Sequence, residues 1–168
     1  MNQTPRYFVR PAFGAAFFIA AACLFIGAPA TAATNGKQAV LAANAGFYAA
    51  LNTLFTGDSA AMEAVWSHAD DVTYMGPTGG FEHGWAAVLK NWQGQAALKL
   101  GGKVEPAQMQ VIVGKDLAIV TEYEEGENTN ANGKVERLKL RGTNIFRRES
   151  GEWKMVGHQT DTLPYLAK

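Results

Sequence analysis

The spacing of apolar residues predicts three helices before residue 100. Between Gly36 and Phe55 they recur every three or four positions, which is the spacing of one buried helix face. Gly57 ends this helix, and a short second helix is expected to run to Trp66. A third amphipathic helix is marked by a further set of apolar positions, namely Trp85, Val88, Leu89, Trp92 and Ala96.

From Val104 onward the period of the apolar residues changes to two, which predicts strands. The strands are expected over about 104–113, 117–125, 134–148 and 152–161, with hairpin turns between them. A brief strand with Val72 and Tyr74 on one face precedes the third helix. Helices followed by an antiparallel meander predict an α+β domain whose helices cover one face of the sheet. Long, strongly bent strands of this kind can leave a hollow beneath a helix.

The first residues have the order of a cleavable signal peptide. Arg6 and Arg10 precede an apolar run over 15–26, and the small residues at 30–32 supply an A-x-A cleavage motif. The run is shorter than the ~20 residues of a membrane-spanning helix, so cleavage is favoured over a membrane anchor.

A lipoprotein anchor at Cys23 is the weaker alternative, because alanines rather than a leucine precede this cysteine. The sequence therefore predicts a signal peptide over 1–32, export to the periplasm or the medium, and a single domain over 36–168. Since Cys23 is the one cysteine of the chain, the mature protein would have no disulfide and no thiol chemistry.

Charge excludes some classes of partner. The chain has 15 basic and 15 acidic residues, and removal of the leader with its two arginines gives a net charge of −2. No cluster of lysine and arginine stands apart from acidic residues. Nucleic acid and anionic membranes are therefore not expected as partners.

The hairpin between the last two strands predicts which side chains face the helices. Its turn at 150–151 places Phe146 and Met155 on one face. That face is expected to consist of Leu138, Leu140, Gly142, Asn144, Phe146, Trp153, Met155, Gly157, Gln159 and Asp161. It combines apolar walls with a few polar groups near one end, as a small-molecule pocket does.

Two alternatives remain open for this sheet. Asn144 and Gln159 could simply bond to each other, with Asp161 at an exposed strand end. The opposite face is charged but interrupted by Ile145 and Val156, so it is either solvated or packed against a second copy of the chain.

Three segments resemble the SnoaL-like, DUF4440-type branch of the NTF2-like superfamily, in an exported bacterial form. They are Gly84-Trp85, residues 71–77 (DVTYMGP) and residues 153–161 (WKMVGHQTD). The likeness covers about 39–166 and lies in the order and spacing of these segments.

The resemblance implies a cone-shaped half-barrel that is usually dimeric through its outer sheet face and contains a pocket. Members include ketosteroid isomerases, polyketide cyclases, dehydratases, epoxide hydrolases and non-catalytic association domains, so the fold does not decide the function. Many relatives end the last strand with His-x-His. Here Gly157 and Gln159 take those positions, and His158 is expected on the outer face.

Asp161 is the candidate general base, because a carboxylate beside apolar walls can have its pKa raised toward neutrality. Tyr74 is the candidate donor to a ligand carbonyl, although it could be an ordinary core residue with one hydrogen bond. Contacts with a ligand are expected from Asn144, Gln159, Trp85, Trp92, Phe146 and Met155. Tryptophans at helical spacing can equally belong to the core.

Other polar residues are not expected to form a site. Four glutamates at 122, 124, 125 and 127 form a charge run that is typical of a solvated edge. The histidines at 68, 83 and 158 are too scattered for a metal centre, and no motif for a metal, a phosphate or a nucleophilic serine is present. Neither a metal nor another cofactor is therefore expected.

Three functions remain open. The first, which is favoured, is an exported protein that binds a small apolar or cyclic molecule. The second is a cofactor-independent isomerase, cyclase or lyase with Asp161 as base and Tyr74 as donor. The third is a non-catalytic association domain. A homodimer is expected in each case from the resemblance.

Overall fold

The computed structural model of the protein describes Met1, residues 30–130 and residues 132–162. Most of the expected signal peptide, including its apolar run, lies outside the described residues. The three expected helices are α1 (Ala30–Leu54), α2 (Ala60–Val65) and α3 (Trp85–Ala97). In the described part of the chain, no helix is both long enough and apolar enough to span a membrane.

The strands form one six-stranded sheet in the order β2-β1-β6-β5-β4-β3. The four long strands are β3 (Lys103–Val113), β4 (Leu117–Thr129), β5 (Val135–Glu149) and β6 (Glu152–Thr162). They pair as the predicted antiparallel meander. The short β1 (Thr73–Met75) runs parallel to β6 and also pairs with β2 (Glu82–His83). The sequence pattern did not indicate β2. The α+β prediction is confirmed, with a mixed rather than a wholly antiparallel sheet.

The helices cover one face of this sheet with the side chains that the apolar spacing predicted. From α1, Phe47 and Leu54 are fully buried, and α3 buries Val88 and Trp92. They meet the inner residues of β5 and β6 in a single core, which also holds Trp66. Burial of these large side chains, each worth about 1.5–3 kcal/mol, holds the helices on the sheet.

Two glycines allow the backbones of β3 and β4 to approach closely near the start of β3. A Cβ atom on Gly126 would lie 2.0 Å from the carbonyl oxygen of Lys103, and one on Gly102 would lie 2.0 Å from that of Glu127. No other residue type fits backbones that approach so closely. The two positions therefore permit the close pairing of the strands there.

A β-bulge in β6 changes which side chains face inward. Ile145 pairs with Gly157, whereas the next residue, Phe146, pairs with Met155, so Val156 is an extra residue in the strand. An extra residue shifts the alternation of the strand by one position. The parity predicted from the hairpin turn therefore holds for β5 and for Met155 and fails beyond Val156.

After the bulge, His158 and Thr160 face the helices and are 5% and 3% exposed. Gln159 and Asp161 are exposed on the outer face, and Gly157 lies there beside Ile145. The predicted inward positions of Gln159, Asp161 and Gly157 are therefore wrong, as is the outward position predicted for His158.

Candidate functional site

A cavity of about 450 Å³ lies between α1, α3 and the concave face of the sheet. Apolar side chains from α1 and the turn after it, from α3 and from the strands β3 and β5 form most of its wall, namely Leu51, Phe55, Trp92, Val104, Leu138 and Leu140. Polar side chains join them on one side: Tyr74, Gln95, Glu124, His158 and Thr160. The cavity thus has the composition of a small-molecule site.

Glu122 and Glu124 are buried on the concave face of β4, with 6% and 3% exposure. The expectation that they belong to a solvated charge run is therefore wrong. They continue the inward alternation that begins with Ala118 and Val120, which are also buried. Glu125 does point outward, where it forms an ion pair with Lys139.

The hydroxyl of Tyr48 lies between the two buried carboxyls. It is 2.7 Å from Oε1 of Glu122 and 2.8 Å from Oε1 of Glu124. A phenol has one proton, so it can donate to one carboxyl and accept from the other only if the other is protonated. Glu122 also accepts from Nδ2 of Asn44 at 2.8 Å and Nδ2 of Asn144 at 2.7 Å. These donors favour ionised Glu122, so Glu124 holds the proton.

The electrostatics of the pair agree with this assignment. Burial raises the pKa of Glu124 to about 7, because removal from water penalises the charged form. Burial also raises the pKa of Glu122, but hydrogen bonds from Tyr48 and Asn44 act in the opposite direction. Burial, together with the neighbouring Glu124 and Glu122, raises the pKa of Tyr48 far above its usual value, so the hydroxyl keeps its proton.

His158 is neutral and its tautomer is fixed. Its Nδ1 is 2.5 Å from Oδ1 of Asn144, an atom that can only accept, so Nδ1 carries the hydrogen. Asn144 is oriented in turn because its Nδ2 donates to Asn44 and to Glu122. Burial lowers the pKa of His158 to about 3. Its Nε2, 3.8 Å from Oε1 of Glu124, therefore has a free lone pair, and the contact is not an ion pair.

Tyr74 is buried, as expected, and its hydroxyl is held by α3. Nε2 of Gln95 donates to this hydroxyl at 2.8 Å and to Oδ1 of Asn91 at 2.6 Å. Gly76 leaves room for it, since a Cβ there would be 2.5 Å from the hydroxyl oxygen. Burial raises the pKa of Tyr74 to about 12, so its O–H can donate to a ligand. Its role as donor stays a prediction.

The structure separates the residues that the sequence grouped as ligand contacts. Tyr74 and Trp92 line the cavity, whereas Asn144, Phe146 and Met155 are buried behind its wall. Trp85 is half-buried and stacks on His68, with ring centroids 4.4 Å apart. Asn144, Phe146, Met155 and Trp85 are therefore core or supporting residues.

Asp161 cannot act as a general base in the cavity. It lies on the outer face, where Oδ2 of Asp161 is 4.0 Å from NH2 of Arg141. Gln159 is exposed beside it, with Nε2 3.4 Å from Oδ2 of Asp161. The bulge at Val156 is the physical reason for both corrections.

Sequence reasoning missed Glu124, His158 and Thr160 as cavity residues. A signal existed for Glu124, because the predicted strand over 117–125 places it on the same face as Ala118 and Val120. For His158 and Thr160, the alternation counted from the hairpin turn predicted the outer face of the sheet. Among the described residues, the buried Oγ1 of Thr160 and Nε1 of Trp92 have no hydrogen-bond partner.

Comparison with known proteins identifies the family and the fold. The model of the SnoaL-like domain family matches residues 40–162. No curated protein matches the chain significantly. Among solved structures, an NTF2-like family protein from Streptomyces avermitilis, provisionally named a dehydratase, is 22% identical with a TM-score of 0.70, covering 78% of this chain and 98% of that one.

Two further structures show the same fold. An NTF2-like superfamily protein from Salmonella enterica is 12% identical with a TM-score of 0.68, over 79% of this chain and 95% of that one. The association domain of C. elegans CaMKII is 15% identical with a TM-score of 0.61, over 77% and 97% of the two chains. The SnoaL-like and NTF2-like assignments are confirmed.

Replacement of Glu124 by glutamine should change how stability depends on pH. The folded protein retains the Glu124 proton up to about pH 7, whereas a model glutamate loses it near 4.5, so this group makes stability fall as pH rises through that window. The opposite applies to His158, whose pKa falls from 6.5 to about 3, so stability falls as pH drops below 6.5. The two slopes cancel between about pH 4.5 and 6.5 in the wild type.

In the Glu124→Gln variant, the fall in unfolding free energy that Glu124 causes between about pH 4.5 and 7 should be absent, while the contributions of His158 and Glu122 remain. The unfolding free energy of the wild type minus that of the variant should decrease by roughly 3 kcal/mol from pH 4.5 to pH 8. Urea unfolding at several pH values measures it. Glu125→Gln, at an outward-facing position of the same strand, is the control. Parallel curves for wild type and Glu124→Gln would contradict the assignment.

Proposed function

We propose that this chain, which belongs to the SnoaL-like domain family, binds a small molecule that is mostly apolar or cyclic. The observation that carries the proposal is the cavity of about 450 Å³ between α1, α3 and the sheet. Its volume is that of a site for a compound of moderate size, and apolar walls with a few polar groups suit an apolar body with one polar end.

The polar side of the cavity supports selective binding. Tyr74 has an O–H free to donate, His158 has a free lone pair on Nε2, and Glu124 has a carboxyl in the wall. Hydrogen bonds from behind orient each of these groups. Such fixed groups can select one polar end of a ligand over another.

Catalysis of the isomerase, cyclase or lyase type is the second candidate function, with Glu124 in the role that the sequence suggested for Asp161. It is favoured by one observation, the buried carboxyl whose pKa of about 7 suits proton transfer near neutral pH. Tyr74 would donate to the developing negative charge.

A variant with a filled cavity should fail to retain a natural ligand. Leu138 faces the cavity, and Leu138→Trp adds bulk there, whereas Lys139→Trp adds the same bulk to the exposed neighbour on the outer face. Wild type and Lys139→Trp, incubated with cell extract and re-purified, should carry the same small molecule by mass spectrometry, and Leu138→Trp should carry at least about tenfold less.

Recovery of the molecule unchanged supports a binding protein, and its conversion to a new compound supports the enzyme. Equal retention by Leu138→Trp and wild type would contradict the proposed site. Both tryptophan variants must first show the same circular dichroism spectrum as the wild type.

We further propose that the protein forms a homodimer through the outer face of the sheet. Ile112, Ile119 and Ile145 stand opposite one another on neighbouring strands and form one apolar row on this face. Ile112 and Ile119 are 69% and 37% exposed in the single chain. Val156, which the sequence suggested for the interface, is 9% exposed and belongs to the core.

The variant Ile112→Glu should be monomeric, because a charge placed in an apolar interface loses its hydration without gaining a partner. The exposed site should tolerate the change with less than about 0.5 kcal/mol lost from folding stability. Light scattering at tens of micromolar measures the mass, and Lys115→Glu in a hairpin turn is the control. A monomeric wild type would refute the dimer.

We propose that the protein is exported, with cleavage near Ala32 or Ala33. Cleavage there would remove the first residues of α1, which begins at Ala30. The buried core residues of the described chain begin at Val40, so their packing would be unaffected.

Intact-mass measurement on protein from the periplasm or medium should give a chain that starts near residue 33. The double variant Ala30→Lys and Ala32→Lys should remain uncut, because small residues are required at these positions. A full-length wild-type mass, or a lipid on Cys23, would contradict the proposal.

A further inference from the structure

The charge of the cavity wall is unbalanced. Glu124 lies in the wall, and Glu122 lies directly behind it, joined through Tyr48. Arg137 is the basic side chain among the described residues that line the cavity, and it is exposed to solvent. His158 adds no positive charge, because burial lowers its pKa to about 3. An ionised Glu124 therefore has no buried counterion.

Hydrogen-bond acceptors remain free in the same wall. Within the described part of the chain, Oε1 of Glu124 has a partner in Tyr48, whereas Oε2 makes no hydrogen bond. Nε2 of His158 has a lone pair and no hydrogen. Both residues are more than nine-tenths buried and line the cavity, so these acceptors are open to a ligand there.

Aromatic rings stand beside these acceptors. The ring centroids of Tyr74 and Trp92 are 4.5 Å apart, and those of Tyr74 and His158 are 5.6 Å apart. Phe55 lines the cavity as well. The faces of Trp, Tyr and Phe rings attract cations, most strongly where water is excluded.

From this juxtaposition we infer that the cavity takes an organic cation, an ammonium group on an apolar body, with the ammonium beside Glu124 and the rings of Tyr74 and Trp92. The inference rests on the small-molecule binding proposed above. An anion would meet two glutamates without a buried basic partner. With a neutral compound Glu124 keeps its proton, whereas a cation lets this carboxyl ionise and supplies the counterion that the carboxylate would otherwise lack.

Two probes of the same shape test the inference: phenyltrimethylammonium and tert-butylbenzene. They differ in one central atom, which is a positively charged nitrogen in the first and a neutral carbon in the second. Each is titrated into the purified full chain at pH 8, where Glu124 is largely ionised since its pKa is about 7. Tryptophan fluorescence and ligand NMR report binding. The ammonium probe should bind at least roughly tenfold more tightly than the neutral one.

Glu124→Gln should remove this preference, so that the two probes bind with similar affinity. Glu125→Gln, on the opposite face of β4, should keep the preference. Equal or weaker binding of the cation by the wild type overturns the inference, and this comparison needs no variant to fold. Retained preference in Glu124→Gln also overturns it.

The same titrations separate this inference from the proposed function. The wild type could bind both probes equally well, with Leu138→Trp abolishing the binding of tert-butylbenzene. In that case the binding function stands, and the proposed positive charge of the ligand is refuted. Absence of binding by both probes, together with no captured molecule from extract, refutes both.

Discussion

The hydroxyl of Tyr48, placed between Glu122 and Glu124, is the interaction on which the inner face of this fold depends. Two carboxyls side by side in a core would repel each other if both were ionised. With one phenolic proton and one carboxylic proton, the group carries a single negative charge. Amide donors from Asn44 and Asn144 then stabilise that charge. A helix, two strands and the cavity wall are thereby joined through one chain of hydrogen bonds.

The bulge at Val156 extends that chain to β6. In a regular β6 the side chain of His158 would point to the outer face, and Oδ1 of Asn144 would lack its hydrogen bond from His158. The extra residue brings His158 inward, directly opposite Asn144. Gly142 pairs with Thr160 on one side and Glu122 on the other, and both glutamate side chains pack against it. A local backbone irregularity therefore decides which side chain of β6 joins the chemistry of the cavity.

The fold was largely predictable because it follows from periodicity. Helical spacing up to Ala96 and a period of two after Val104 are properties of local sequence, and they gave the elements to within a few residues. The inward face of β5 followed from the same rule. The parallel pairing of β1 with β6 could not be inferred this way, because it joins segments far apart in the chain.

The site was much less predictable, and the reason is specific. The face of each strand residue is predicted by counting alternate positions along the strand. One inserted residue therefore reverses the predicted face of every residue after it. Val156 thus moved Asp161 to the outer face and His158 to the cavity. Glu124 was missed for another reason: charge runs are usually solvated, and the partner that permits its burial, Tyr48, lies 76 positions away in the chain.

The groups that face the cavity share a property that neither periodicity nor parity reveals: a partner on another element holds each of them. Glu124 is held by Tyr48 of α1, His158 by Asn144 of β5, and Tyr74 by Gln95 of α3. Side chains fixed in this way lose little further freedom when a ligand binds, so less of the contact energy is spent on ordering them.

The same arrangement has a cost in folding stability. A buried polar network contributes less to stability than apolar side chains of the same volume often would. Oγ1 of Thr160 and Nε1 of Trp92 add to this cost, because neither has a partner among the described residues. Within the same part of the chain, Nε1 of Trp66 and Oε2 of Glu82, which do not line the cavity, are unpartnered as well. The free polar atoms of Glu124, His158 and Tyr74 are different, because these three residues line the cavity and a ligand could bond to them. They are a reason to regard the cavity as a binding site and not as a packing defect.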